Sequence, residues 1–122
     1  MKNNVTILDI DALELMEMDI KMCGKTYKLK TPSTRQMLII KKDSAQFQEI
    51  SSNFENNPES EQMEKAYFDF MRRLTTKVLK MFNDDVDDKE IEKLDERAIE
   101  VATNSIVEFS SEAFMKGRGN GI

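Results

Sequence analysis

The chain has 122 residues, with 23 acidic against 18 basic side chains, one cysteine, nine methionines and no histidine. That length suits one domain with its own core, and no apolar run approaches the ~20 residues that span a bilayer. The lack of imidazole excludes Ser-His and Cys-His nucleophile pairs and the commonest transition-metal ligand, so neither an enzyme nor a bound cofactor or metal is expected.

In chain order, the first segment is ambiguous. Val5, Ile7 and Ile10 suit a strand, whereas Leu8, Leu13 and Met16 suit a short capped helix, and both readings stand. Acids interrupt the apolar residues here, so a signal-peptide core is not expected. From Met16 the pattern sharpens, as Met16, Met18, Ile20 and Met22 alternate with Glu17, Asp19, Lys21 and Cys23. A period of two predicts a half-buried strand. Gly24-Lys25 reads as a two-residue hairpin loop, with Gly where a positive φ is needed. The hairpin then covers about 16–30 and pairs Cys23 with Thr26, Met22 with Tyr27, Ile20 with Leu29 and Asp19 with Lys30. Its one flaw is Lys21 against Lys28. Cys23 is read as a small residue beside a turn; one thiol forms no internal disulfide, which fits a reducing compartment.

A helix begins next, capped either by Thr31 with Pro32 behind it or by Ser33 with Gln36 as a capping box. Its apolar stripe is Met37, Ile40, Ser44, Phe47, Ile50 and Phe54, with Leu38 and Ile39 off centre. Glu55 to Ser60 form a loop, and Asn57 or Ser60 caps a central helix that runs to about Phe82. That helix carries Met63, Tyr67, Phe70, Met71, Leu74, Val78, Met81 and Phe82 at helical spacing, widened by Phe68 and Leu79. It reads as a core helix contacted on more than one side. Because methionine adapts to varied surfaces, Tyr67, Phe68, Met71, Leu79 and Phe82 are the candidate partner-binding residues.

Residues 83–100 hold nine acids against three bases. Neither start at Asn83 nor start at Asp85 satisfies an EF-hand, because Gly at the sixth position is missing in both. The stretch therefore reads as helix caps. Ile91 and Leu94 give a short helical turn, and Asp95 caps a last helix from Glu96 to about Lys116. Ala98, Val101, Ala102, Ser105, Ile106, Phe109 and Ala113 are placed inward there. Gly117 to Ile122 read as a flexible tail.

The predicted architecture is mainly α (α+β): a small bundle of three main helices plus a short one, with the hairpin packed on it. Residues 1–116 form a single domain and 117–122 a tail. A hairpin this small must lean on the bundle, and its free edges suggest pairing with another chain or homo-oligomerisation through that edge or a helix face. The acidic balance, with bases only in short pairs such as Lys41-Lys42 and Arg72-Arg73, argues against a nucleic-acid partner.

This layout resembles the small tail assembly chaperones of long-tailed (siphovirus- or myovirus-like) bacteriophages of Gram-positive hosts. The resemblance lies in Lys28-Leu29-Lys30-Thr31-Pro32-Ser33 leading from hairpin to helix, then the aromatic central helix. It continues in Asp87-Asp88-Lys89-Glu90-Ile91-Glu92-Lys93-Leu94-Asp95 and covers roughly residues 8–116. It implies a non-enzymatic protein of the host bacterium's cytoplasm that coats the tape-measure protein, keeps it soluble and helps recruit tail-tube subunits. The family is absent from the mature virion and often has a longer frameshifted form. The competing reading is a small acidic adaptor that regulates a host protein through Asp84–Glu100.

Overall fold

The computed structural model describes residues 15–117, so the strand-or-helix question at residues 5–14 and the tail beyond Gly117 lie outside the described residues. Strands β1 (Glu17–Met22) and β2 (Lys25–Lys30) form an antiparallel hairpin. Helices α1 (Thr34–Asn56), α2 (Glu61–Phe82), α3 (Asp88–Glu92) and α4 (Glu96–Gly117) follow. The mainly helical fold with a packed N-terminal hairpin is as the sequence predicts.

The hairpin register differs from the expected one by two residues. Met22 faces Lys25, Ile20 faces Tyr27, Met18 faces Leu29 and Glu17 faces Lys30. The loop is Cys23-Gly24, not Gly24-Lys25, with φ of 56° and 72°, both in the left-handed region. A two-residue turn with both residues there follows the right-handed twist of the strands. A shift of two keeps each side chain on its face, so face patterning alone did not distinguish the registers. Cross-strand charge favours the observed one. Asp19 now faces Lys28, Glu17 faces Lys30, and Lys21 meets Thr26, which removes the Lys–Lys flaw.

The cost falls on Cys23, since a side chain at positive φ is strained by about 1–2 kcal/mol and asparagine suits the position better. Cys23→Asn is expected to stabilise the protein by about 1 kcal/mol, read as a higher urea midpoint. An unchanged or lowered midpoint would mean that the Cys23 Sγ contact to the Glu90 carbonyl, 3.5 Å, outweighs the relief of the turn.

Ser33 is the cap of α1: its hydroxyl accepts from Gln36 N–H at 3.1 Å and the Gln36 side chain accepts from Ser33 N–H at 2.9 Å. Thr31 instead ties off the hairpin, its N–H donating to the Met16 carbonyl at 3.0 Å and its Oγ1 accepting from Met16 N–H at 2.7 Å. Ser60 caps α2 through Met63 N–H. Asp87 accepts from Lys89 N–H, and Asp95 from Ala98 N–H at 2.7 Å. The acidic run thus spends two of its carboxylates on helix starts, as its composition suggested.

Helix α2 is the centre of the molecule. Its Phe68, Phe70, Met71, Leu74, Val78 and Leu79 join Tyr27 and Leu29 of β2, Ile40 of α1, Ile91 of α3 and Ile106 of α4 in one core. Two buried hydroxyls, Thr75 and Thr103, satisfy one another at 2.8 Å across α2 and α4, as buried polar groups must. Lys77–Asp43 at 2.8 Å ties α2 to α1, and Lys80–Asp88 at 2.7 Å ties it to α3. Arg72 donates to the Leu94 carbonyl at 2.8 Å, holding the turn between α3 and α4.

Helix α4 is rotated from its expected orientation. Its buried residues are Ile99, Ala102, Thr103, Ile106, Phe109, Ser110, Ala113 and Phe114. Ile99, Ile106 and Ala113 recur every seven residues, the spacing of a helix packed lengthwise on another. Val101, expected inward, is instead 60% exposed, and Ala98 and Ser105 are only half-buried.

Candidate protein-binding groove

The rotation of α4 creates the principal surface feature. β2 lies over α2 and α4 and buries Tyr27 and Leu29 completely, whereas β1 overhangs, leaving Met18, Ile20 and Met22 half-buried. Between β1 and the first half of α4 lies an open groove of about 550 Å³, lined by Met18, Ile20, Met22, Leu94, Ala98 and Val101, with Asp19, Lys21, Asp95 and Arg97 among its polar lining residues. Apolar floor and charged rim are the usual anatomy of a protein-binding surface.

The backbone beside the groove is open too. The two-residue loop closes on the Met22–Lys25 pair, and Thr31 bonds Met16 in the same series. Antiparallel alternation then turns the N–H and C=O groups of Met18, Ile20 and Met22 toward β2 and those of Glu17, Asp19 and Lys21 outward. On the far side, the outward groups of β2 have a partner. Asn83, the residue that ends α2, accepts from Lys28 N–H and donates to Lys28 C=O, both at 2.9 Å. Its carboxamide mimics a neighbouring strand and closes that edge. Among the described residues no hydrogen bond is made to the backbone of Glu17, Asp19 or Lys21 on the outer side of β1.

No protein-family model, curated protein or solved structure matches this chain.

The residues singled out from sequence for partner binding are dispersed by the fold. Phe68, Met71 and Leu79 are buried in the core at 7%, 0% and 0% exposure, so Met71 and Leu79 present no surface to a partner and Phe68 only a little. Tyr67 and Phe82 stay half-buried. Tyr67 stacks on Phe47 with ring centroids 5.5 Å apart and meets Phe54 at 5.2 Å, an aromatic seam that closes the α1–α2 hairpin. Burial, and then the nearby Glu100 and Glu55 carboxylates, push the Tyr67 hydroxyl pKa above its ordinary value. An aromatic and Met-rich helix is thus consumed by its own fold because it is contacted from several sides at once.

Val101 is the residue that sequence reasoning placed on the wrong side. The usable signal is the seven-residue recurrence of Ile99, Ile106 and Ala113, which leaves Val101 as an apolar side chain off the stripe.

The remaining candidates have structural work. Cys23 is partly covered, and burial, followed by the Glu90 and Asp87 carboxylates, raises its pKa from the ordinary thiol value. It therefore stays in the poorly nucleophilic thiol form at neutral pH. Within the acidic stretch, Asp87 and Asp95 are caps and Asp88 is paired with Lys80, which leaves less of that surface for a regulatory partner than its charge suggested.

Proposed function

We propose that this protein is a non-enzymatic assembly chaperone, acting in the bacterial cytoplasm on an apolar helical client and absent from the finished particle. In the terms of the tail assembly chaperones that it resembles, the client is the tape-measure protein, and tail-tube subunits are recruited to the complex. The observation that carries this reading is the groove between β1 and α4, where Val101 is 60% exposed beside half-buried Met18, Ile20 and Met22. Methionine-rich apolar surface suits segments of varied sequence, because the unbranched side chain repacks at little cost. An amphipathic client helix gains by burying its apolar stripe there, at about 25 cal/mol per Å² removed from water. The net charge of −5 opposes aggregation of the complex while it holds such a client.

Co-expression with a tape-measure protein, which on this reading is expected to be encoded by a neighbouring gene, is the direct test. The expected result is a client that moves from the insoluble to the soluble fraction and is retained by the tagged chaperone. A client equally insoluble with and without this chain would refute the reading.

A further inference from the structure

The outer edge of β1 and the groove beside it are one continuous surface, and the geometry points to its occupant in the absence of client: a second copy of this chain, added antiparallel along β1. This inference rests on reading the groove as a protein-binding surface and names what first covers it. A charged strand edge ordinarily discourages pairing. Here the outward-facing residues are Glu17, Asp19 and Lys21, with opposite charges only two positions apart. When β1 is laid antiparallel on its own copy about Ile20, Asp19 of each chain falls opposite Lys21 of the other. Met18 then falls opposite Met22, and Ile20 opposite Ile20. Sliding by two residues one way sets Asp19 against Asp19, between two Glu17–Lys21 pairs, and the other way sets Lys21 against Lys21, so the register about Ile20 is the one of the three that pairs opposite charges with no like-charge pair.

The hydrogen-bonding phase agrees with that register. Asp19 and Lys21 are the residues whose backbone groups point outward, so they form the bonded pairs, and Ile20 sits at a non-bonded pair on the twofold axis. The product is a four-stranded sheet, β2-β1-β1-β2. Each copy's Met18, Ile20 and Met22 prolong the apolar face of the other's hairpin over Val101 and Ala98 of α4. The opposite edge cannot compete, because Asn83 already takes both backbone groups of Lys28. Among the described residues β1 is the edge left for pairing, which gives a closed dimer and no open fibre. Because the same groove serves both, client and second copy exclude one another.

Sedimentation velocity on the full chain without client should show a species of about twice the 14.1 kDa chain mass. Lys21→Glu sets two carboxylates opposite Asp19 residues and is expected to weaken the dimer about tenfold or more. Within its own hairpin position 21 faces Thr26, so the circular dichroism spectrum should not change. Lys21→Arg should keep the dimer. A monomer at every concentration would overturn the inference, as would a dimer indifferent to Lys21→Glu. So would a monomer whose Asp19 amide is protected from hydrogen exchange, which would place the chain's own N-terminal residues on that edge. A Lys21-sensitive dimer that ignores the tape-measure protein would leave this inference standing and remove the proposed client.

Discussion

Leu79→Ala is expected to destabilise the protein by about 2–5 kcal/mol, the usual range for a fully enclosed leucine. Leu79 has no exposed surface and lies in the core cluster that joins α2 to the hairpin and to α3 and α4. The truncation removes a methine and two methyl groups from water-free surroundings and leaves a void that rigid neighbours on several elements cannot all close. Against the roughly 5–15 kcal/mol that holds a small domain folded, such a loss is a large fraction of the whole. Urea unfolding of the purified variant should show a much lower midpoint, with client capture per folded molecule unchanged. A stable Leu79→Ala protein that fails to capture client would instead return Leu79 to the partner surface that its helix suggested.

Val101→Glu should show the opposite behaviour. At 60% exposure the new carboxylate stays hydrated in the free protein, and α4 keeps its buried stripe of Ile99, Ile106 and Ala113. The urea midpoint should move by no more than about 0.5 kcal/mol equivalent. Once an apolar segment covers the groove, however, the carboxylate loses water without gaining a partner, a penalty of several kcal/mol. Client retention should fall by about a hundredfold or more, and co-expressed client should return to the insoluble fraction. Undiminished retention would move the client site away from α4. Together the two variants separate core from surface: one removes stability and spares binding, the other removes binding and spares stability.

The contrast also explains what was legible beforehand. The starts of α1 and α4 could be read from Thr31–Gln36, with the cap open between Thr31 and Ser33, and from Asp95, because a cap is a local contract between a side chain and the N–H groups two or three residues on. Both hairpin strands were legible from their alternation. The loop was misplaced because Gly24 satisfies the first position of one turn type and the second of another. Strand faces repeat every two residues, so both placements bury the same side chains. Only the cross-strand matches of Asp19 with Lys28 and Glu17 with Lys30 separate them, together with a tolerance for Cys23 at positive φ.

The groove was illegible for a different reason. A stripe states that a helix has an apolar side; it does not state how many neighbours that side will meet. α2 packs against α1, α3, α4 and β2, so Phe68, Met71 and Leu79 vanish into the core. α4 meets them over a narrower arc and leaves Val101 outside. Likewise, Asn83 looks in sequence like any residue that ends a helix. Its role in closing the β2 edge depends on Lys28, far away along the chain, arriving beside it.

Local chemistry, carried by residues within a turn of one another, determined the elements of this protein: their type, their order, their caps and the charge of the segment between α2 and α4. Tertiary packing decided which apolar residues remained in contact with water and which strand edge stayed open. Those outcomes depend on how the helices and the hairpin share a finite amount of surface, and that sum is settled only when all of them are in place.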